Sequence, residues 1–148
     1  MPSSWLLPIP KDTSMVGIKL NHLAIVVDDM DAALRFWRKS LGLTQRGAVQ
    51  SVPAENVDIA FLTLGDAHVE LIQPTGEDSG VAKYLAKRGP GLHHLCLELP
   101  DLDAKLRDLS ARGYELINER PRERDGRRYA FIHPRSTGGV LLELYETI

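Results

Sequence analysis

The sequence predicts an α+β fold in which two paired β-α-β-β-β modules form a curved, barrel-like mixed sheet around a common cleft. Three observations predict it: an internal repeat, the same order of patterned segments in both copies, and one His and one Glu at matching places in each. Laying residues 20–35 on residues 92–107, an offset of 72, gives identity at eight of 16 positions. These are Leu20/Leu92, His22/His94, Leu23/Leu95, Asp29/Asp101, Asp31/Asp103, Ala32/Ala104, Leu34/Leu106 and Arg35/Arg107. The halves then stay in step, with Gly42 answering Gly113, Ala60-Phe61-Leu62 answering Ala130-Phe131-Ile132, and Val69-Glu70-Leu71 answering Leu142-Glu143-Leu144.

Each half opens on a short apolar run, residues 18–27 or 92–99, ended by acidic or proline residues, which predicts a strand. A helix follows, opened by Asp28 or Asp29 in the first copy and Asp101 in the second, because a carboxylate accepts from the free N–H groups of a first turn. Its apolar stripe is Met30, Ala33, Leu34, Trp37 and Leu41, or Leu102, Leu106 and Leu109, and Gly42 or Gly113 closes it. Further strands come next. Residues 57–64 and 69–73 flank a Gly65-Asp66 turn, and residues 129–133 and 140–145 flank the segment 134–139. The expected organisation is an N-terminal arm over residues 1–17, then one domain over residues 18–148. Within that domain, module one covers about 18–75, a connecting segment about 76–90, and module two about 91–148. The connecting segment holds a short helix over about 81–87, capped by Asp78 or Ser79.

The chain of 148 residues, 43% hydrophobic and 26% charged, is long enough to bury a core without disulfides. Eighteen Lys and Arg against 20 Asp and Glu give a net charge of −2, which leaves no overall basic field for nucleic acid. No apolar run reaches the roughly 18 residues of a membrane span. The single cysteine, Cys96, excludes an intramolecular disulfide and predicts a reducing compartment, with the cytoplasm as the expected location.

The repeat also marks the chemistry. His22 and Glu70 are 48 residues apart, and His94 and Glu143 are 49 apart. If the modules pair by a pseudo-twofold, the four side chains converge. Two imidazoles and two carboxylates suit a divalent first-row metal and leave positions for water or a chelating substrate. Strand parity places His22 with Leu20, Ala24 and Val26, and Glu143 with Leu141 and Tyr145, apolar runs in which an uncompensated charge is costly. The same parity sends His93 to the opposite face from His94 and makes His68, which shares a face with Glu70, either an adjacent site residue or a turn-proximal surface histidine. Cys96 reads as a small buried hydrophobe.

Paired modules with a His and a Glu from each resemble the vicinal oxygen chelate superfamily. Two stretches, GEDSGVAKYLAKRGPGLHH (residues 76–94) and FIHPRSTGGVLLEL (residues 131–144), look specifically like the methylmalonyl-CoA epimerases. The resemblance implies a metal site of His22, Glu70, His94 and Glu143 holding Co, Mn, Ni or Zn. It also implies interconversion of (2R)- and (2S)-methylmalonyl-CoA by loss and return of the α-proton through an enolate stabilised by the cation. Glu143 is the expected proton acceptor. An acyl-CoA partner and a homodimer are implied too, with Trp5, Leu6 and Leu7 of the arm as possible dimer contacts. Some relatives carry a further acid/base glutamate where this chain has Ile59, so Glu98, Glu55 and Asp58 are the alternatives for a second group. Phosphates of a CoA arm have two basic candidates, the Arg-rich loop of residues 120–128 and Lys83, Lys87 and Arg88 of the connecting helix. The rival readings on the same fold are glyoxalase I, an extradiol dioxygenase, and a non-catalytic small-molecule-binding protein.

Overall fold

The computed structural model describes residues 17–148, so the arm and its Trp5, Leu6 and Leu7 lie outside the described residues. Module one consists of β1 (Lys19–Val26), α1 (Met30–Leu34), β2 (Gln50–Val52), β3 (Val57–Leu64) and β4 (Ala67–Pro74). After the connecting helix α2 (Gly80–Arg88), module two repeats the order with β5 (Gly91–Leu99), α3 (Leu102–Ala111), β6 (Arg122–Arg124), β7 (Arg127–Ile132) and β8 (Leu142–Glu146). The eight strands make one curved mixed sheet in the order β2-β3-β4-β1-β5-β8-β7-β6. Among the described residues no helix is long and apolar enough to cross a membrane.

The expected caps form. Asp29 accepts from the Ala32 N–H, Asp101 from the Ala104 N–H, and Ser79, not Asp78, from the Ala82 N–H. One helix departs from expectation. α1 turns π-helical over Arg35–Ser40, where the Leu41 N–H reaches back to the Phe36 carbonyl at 2.7 Å. The widened turn still leaves Leu34 and Trp37 packed on the module one core of Val27, Met30, Ala60, Leu62, Val69 and Leu71. Module two builds its own core from the corresponding strand faces and α3: Leu99, Leu102, Leu106, Ala130, Ile132 and Leu144. Each helix therefore covers one face of its own strands, and the alternating residues of the same strands line the opposite, cleft-bearing face.

The modules meet at the centre of the sheet, where β1 and β5 pair antiparallel while β4 and β8 flank them in parallel. Leu23 is paired with Leu95, its own counterpart in the repeat. The pseudo-twofold passes through that pair. His22 consequently faces Cys96 across the ladder, and His94 faces Ala24, the counterpart of Cys96. Because Ala24 and Cys96 are small, each leaves room for the imidazole facing it to lean toward the axis.

Candidate metal centre

The sheet brings the predicted side chains together. His22 Nε2 lies 3.1 Å from His94 Nε2, 2.6 Å from Glu70 Oε2 and 3.4 Å from Glu143 Oε1, and His94 Nε2 lies 3.2 Å from the same Glu143 oxygen. The register explains the convergence: Glu70 sits beside Ala24 and Glu143 beside Cys96, so each carboxylate shares a row with the other module's histidine or its small partner. His22 and Glu143 are almost fully buried, at 2% and 1% exposure. Ligand atoms of His22, His94 and Glu143 form one mutually close set, and those of His22, His68 and Glu70 form another. His22 is the shared corner, with Glu70 drawn onto its Nε2.

Burial opposes charge on His22, but hydrogen bonds and the fields of Glu143 and Glu70 outweigh it and raise the imidazole to about 9. Burial likewise works against ionising the two glutamates. It is overcome for Glu70 by His22 and His68, and for Glu143 by His22 and His94, so each carboxylate is held at about 2. A buried Glu143 and a half-buried Glu70 thus flank the Nε2 atoms, which as neutral imidazoles are lone-pair donors. Nitrogen and carboxylate oxygen atoms gathered around one point are a donor set that fits a divalent cation.

Four features depart from the sequence-based expectation or decide among its alternatives. His93 does not turn away: it is the extra residue of a β-bulge, since Ala24 pairs with His94 but Ile25 with Leu92, and the bulge directs its ring into the cleft with Nδ1 2.9 Å from His94 Nδ1. Burial and the neighbouring His94 push His93 down to about 4. His68 is part of the site, its ring stacked on His22 at 5.0 Å and its Nε2 3.9 Å from Glu70. Of the alternatives for a second acid/base, Asp58 accepts from Ser51 Oγ and Glu98 pairs with Arg127, while only Glu55 lines the cavity, beside Ile59. Three of the five arginines in the Arg-rich loop are engaged within the protein. Arg128 bridges Asp103 and Glu146, Arg127 lies over Tyr145, and Arg124 enters the site within 3.5 Å of both Glu143 and Glu55, with its guanidinium 4.6 Å from the Tyr129 ring centre.

Besides His93, Arg124 and Tyr145 enter the site without having been assigned to it from the sequence. Their signal was the strand alternation that aligns Tyr145 with Glu143; nothing local distinguishes Arg124 from the other arginines of its loop. Burial and the Glu143 carboxylate push the Tyr145 phenol up, so it remains a neutral hydroxyl. Together these groups close a cavity of about 330 Å³ over the four predicted ligands. Module one and α2 line it with Glu55, Val57, Ile59, Ile72 and Val81, and module two with Arg124, Phe131 and Tyr145. A second cavity of about 630 Å³ meets it at Gly80, His93 and His94 and is bordered by Lys83, Lys87 and Arg88.

A two-module sheet with this cleft defines a class, and the chain belongs to it: the Glyoxalase/Bleomycin resistance protein/Dioxygenase superfamily, whose family model matches residues 21–131. Within that superfamily the chain belongs to the methylmalonyl-CoA epimerase family. It is 36% identical to the mitochondrial methylmalonyl-CoA epimerase of Homo sapiens over 128 residues, 85% of this chain and 72% of that protein. It is 37% identical to the ethylmalonyl-CoA/methylmalonyl-CoA epimerase of Cereibacter sphaeroides over 133 residues, 88% of this chain and 98% of that one. A solved Streptomyces coelicolor methylmalonyl-CoA epimerase in complex with 2-nitronate-propionyl-CoA superposes with a TM-score of 0.75 at 32% identity, covering 87% of this chain and 94% of that one.

Proposed function

We propose that the protein is an isomerase that interconverts (2R)- and (2S)-methylmalonyl-CoA at the His22, Glu70, His94 and Glu143 centre. The convergence of two histidines and two carboxylates, one pair from each module, beneath a cavity lined by both modules carries the reading. A bound divalent cation, Co, Mn, Ni or Zn by ligand type, supplies Lewis-acid stabilisation of the negative charge that develops when the α-carbon loses its proton. The residues do the rest. His22 and His94 would offer Nε2 lone pairs to the cation, and Glu70 and Glu143 would supply carboxylate oxygens. Glu143 is ionised at neutral pH and is the proton acceptor, with its second oxygen held toward Arg124. Tyr145 contributes a neutral hydroxyl beside it. The apolar wall of Val57, Ile59 and Ile72 excludes water from the opposite side, where the methyl group of the substrate is expected to pack.

An acyl-CoA is larger than the first cavity, and the second supplies the room. Lys83, Lys87 and Arg88 place three cations along one border of it, and the nucleotide phosphates of the CoA arm are the fitting occupant, with the pantetheine running past His93 toward the metal. The likeness to a solved relative complexed with 2-nitronate-propionyl-CoA supports that substrate class. The chain is further read as one domain over residues 18–148, acting as a homodimer in the reducing cytoplasm, a compartment that suits its buried free Cys96.

Proton NMR of methylmalonyl-CoA in D₂O tests the reaction. The metal-loaded protein is expected to wash deuterium into C2 and interconvert the epimers without O₂ or glutathione. Absence of exchange, with turnover of the methylglyoxal-glutathione hemithioacetal instead, replaces the reading with glyoxalase I.

A further inference from the structure

Two β-bulges interrupt the central strand pair, and the pseudo-twofold relates them. In β1 the extra residue is Asn21, because Leu20 pairs with Leu97 and His22 with Cys96. In β5 it is His93, the counterpart of Asn21 at the offset of 72. A regular strand sends the neighbour of a ligand to the opposite face; a bulge lets that neighbour stay beside it. Both neighbours use the freedom in the same way. Asn21 Oδ1 lies 2.7 Å from His22 Nδ1, and His93 Nδ1 lies 2.9 Å from His94 Nδ1.

The first contact admits one polarity. An amide oxygen only accepts, so His22 Nδ1–H donates, and the neutral imidazole then presents a bare Nε2 to the cleft. In the second, His94 presents a bare Nε2 only when its own Nδ1–H donates to His93 Nδ1, which puts the His93 proton on its Nε2. The edge-on Tyr84 ring, 4.8 Å from the His93 ring, helps to fix His93, and the Tyr84 hydroxyl is anchored on the Leu92 carbonyl at 2.7 Å.

The geometry points to Asn21 and His93 as a duplicated pair of positioning residues that fix the tautomer and ring angle of His22 and His94, so that both Nε2 atoms face the metal. Two chemically different side chains perform one task at equivalent positions, and the bulge is the backbone device that allows it. The inference rests on the reading that His22 and His94 are ligands. Losing such an outer partner typically weakens metal binding about 10–100-fold while leaving the ligand set intact.

The test uses the full chain, with zinc as the probe. Zinc affinity is measured by competition with a chromophoric chelator, and the ring nitrogens of ¹⁵N-histidine-labelled protein are read by long-range ¹H–¹⁵N NMR. In the zinc-loaded parent, His22 and His94 are expected to be ligated through Nε2 with a proton on Nδ1; ligation of either through Nδ1 overturns the inference without any variant. Asn21→Leu and His93→Phe, which remove the acceptors, are expected to weaken zinc binding about 10–100-fold. Asn21→Asp and His93→Asn, which keep an acceptor, should stay within a few-fold of the parent. Equal affinity across all four variants, or equal loss in the conservative and disruptive ones, overturns the positioning role. Failure of the underlying ligand reading looks different: His22→Ala then keeps its zinc.

Discussion

The two modules carry the same skeleton of charge but different walls. In each, a first-strand histidine and a last-strand glutamate reach the axis, and a residue three beyond the glutamate caps its module's helix: Gln73 accepts from the Met30 N–H at 2.7 Å, and Glu146 from the Leu102 N–H at 3.1 Å. Two strands out from the axis the likeness ends. Module one gives the cavity Val57 and Ile59, whereas module two gives it Arg124 and Phe131, and Arg128 adds an ion-pair cluster around Glu146 that has no counterpart at the neutral Gln73. Duplication set a His and a Glu from each copy at the centre, where the two pairs converge. Divergence away from the axis gives the two sides of the cavity different chemistry. That asymmetry suits a chiral substrate whose α-carbon carries an apolar methyl group and a polar carboxylate.

The largest expected effect separates the two glutamates. Glu143 lies against Arg124 and Tyr145 on the module two side of the cavity, and Glu70 against His68 on the module one side. Glu143→Gln keeps an oxygen for ligation but cannot accept a proton, so deuterium exchange in metal-loaded protein should fall by about 10²–10⁴. Glu70→Gln should lose about tenfold at most, since a ligand without a proton-transfer role retains its oxygen donor. Equal losses in NMR exchange rates would break the functional distinction between the modules.

The histidines should behave alike, because the pseudo-twofold relates them directly. His22→Ala and His94→Ala are each expected to lower metal content and exchange together, with metal affinity down by tenfold or more, as removing a ligand changes both affinity and geometry. Full occupancy by elemental analysis in the double variant refutes the ligand assignment; loss confined to one histidine would show that only one module holds the metal.

The duplicated residues were legible in the sequence for a physical reason. Strands, caps and candidate ligands repeat at near-constant spacing, and a polar group on an apolar strand face stands out because its burial demands a partner. The bulges at Asn21 and His93 were not legible, since one extra residue in a ladder leaves no compositional mark and silently reverses the parity on which the facing of His93 was argued. Arg124 escaped for a related reason. Its loop is full of alternating charges, and only the pairing of β6 with β7, together with the Tyr129 ring beneath the guanidinium, selects it over Arg120 or Arg122. Ser79 was one of two equivalent candidates for its cap until the backbone chose between them.

Metal-free protein sharpens the comparison through pH. His22, raised to about 9, contributes stability that is whole below its unfolded value near 6.5 and is lost as pH rises through 9. His93, depressed to about 4, acts in the opposite sense: the unfolded chain takes up its proton first, so stability falls as pH drops from 6.5 toward 4. Glu70 and Glu143, both held at about 2, add to the loss below about 4.5. Urea unfolding in the presence of chelator is therefore expected to show maximal stability near pH 6.5, with a shallow alkaline limb from His22 and a steeper acid limb. A maximum shifted above pH 8 would mean that His22 is not the buried cation between the two glutamates.

The smallest expected effect comes from making the modules more alike. Cys96 faces His22 across the β1–β5 ladder where Ala24 faces His94, and both are fully buried. Burial and the nearby Glu143 and Glu70 carboxylates push the Cys96 thiol far up, so it is neither a thiolate ligand nor a nucleophile. Its remaining role is to be small enough for the His22 ring to lean over it. Cys96→Ala adopts the solution module one already uses at Ala24 and removes a single buried atom, so it should cost no more than about 0.5–1.5 kcal/mol, the range for losing one methyl-sized group from a core. Metal content and exchange rate should be unchanged. Cys96→Leu is the opposing arm. Its added volume must displace the His22 ring or the Glu143 carboxylate beside it, so metal affinity should fall even in variant protein that stays folded. If Cys96→Ala lost metal while Cys96→Leu kept it, the pairing of a small residue with each histidine would not be what lets the two rings meet at the axis.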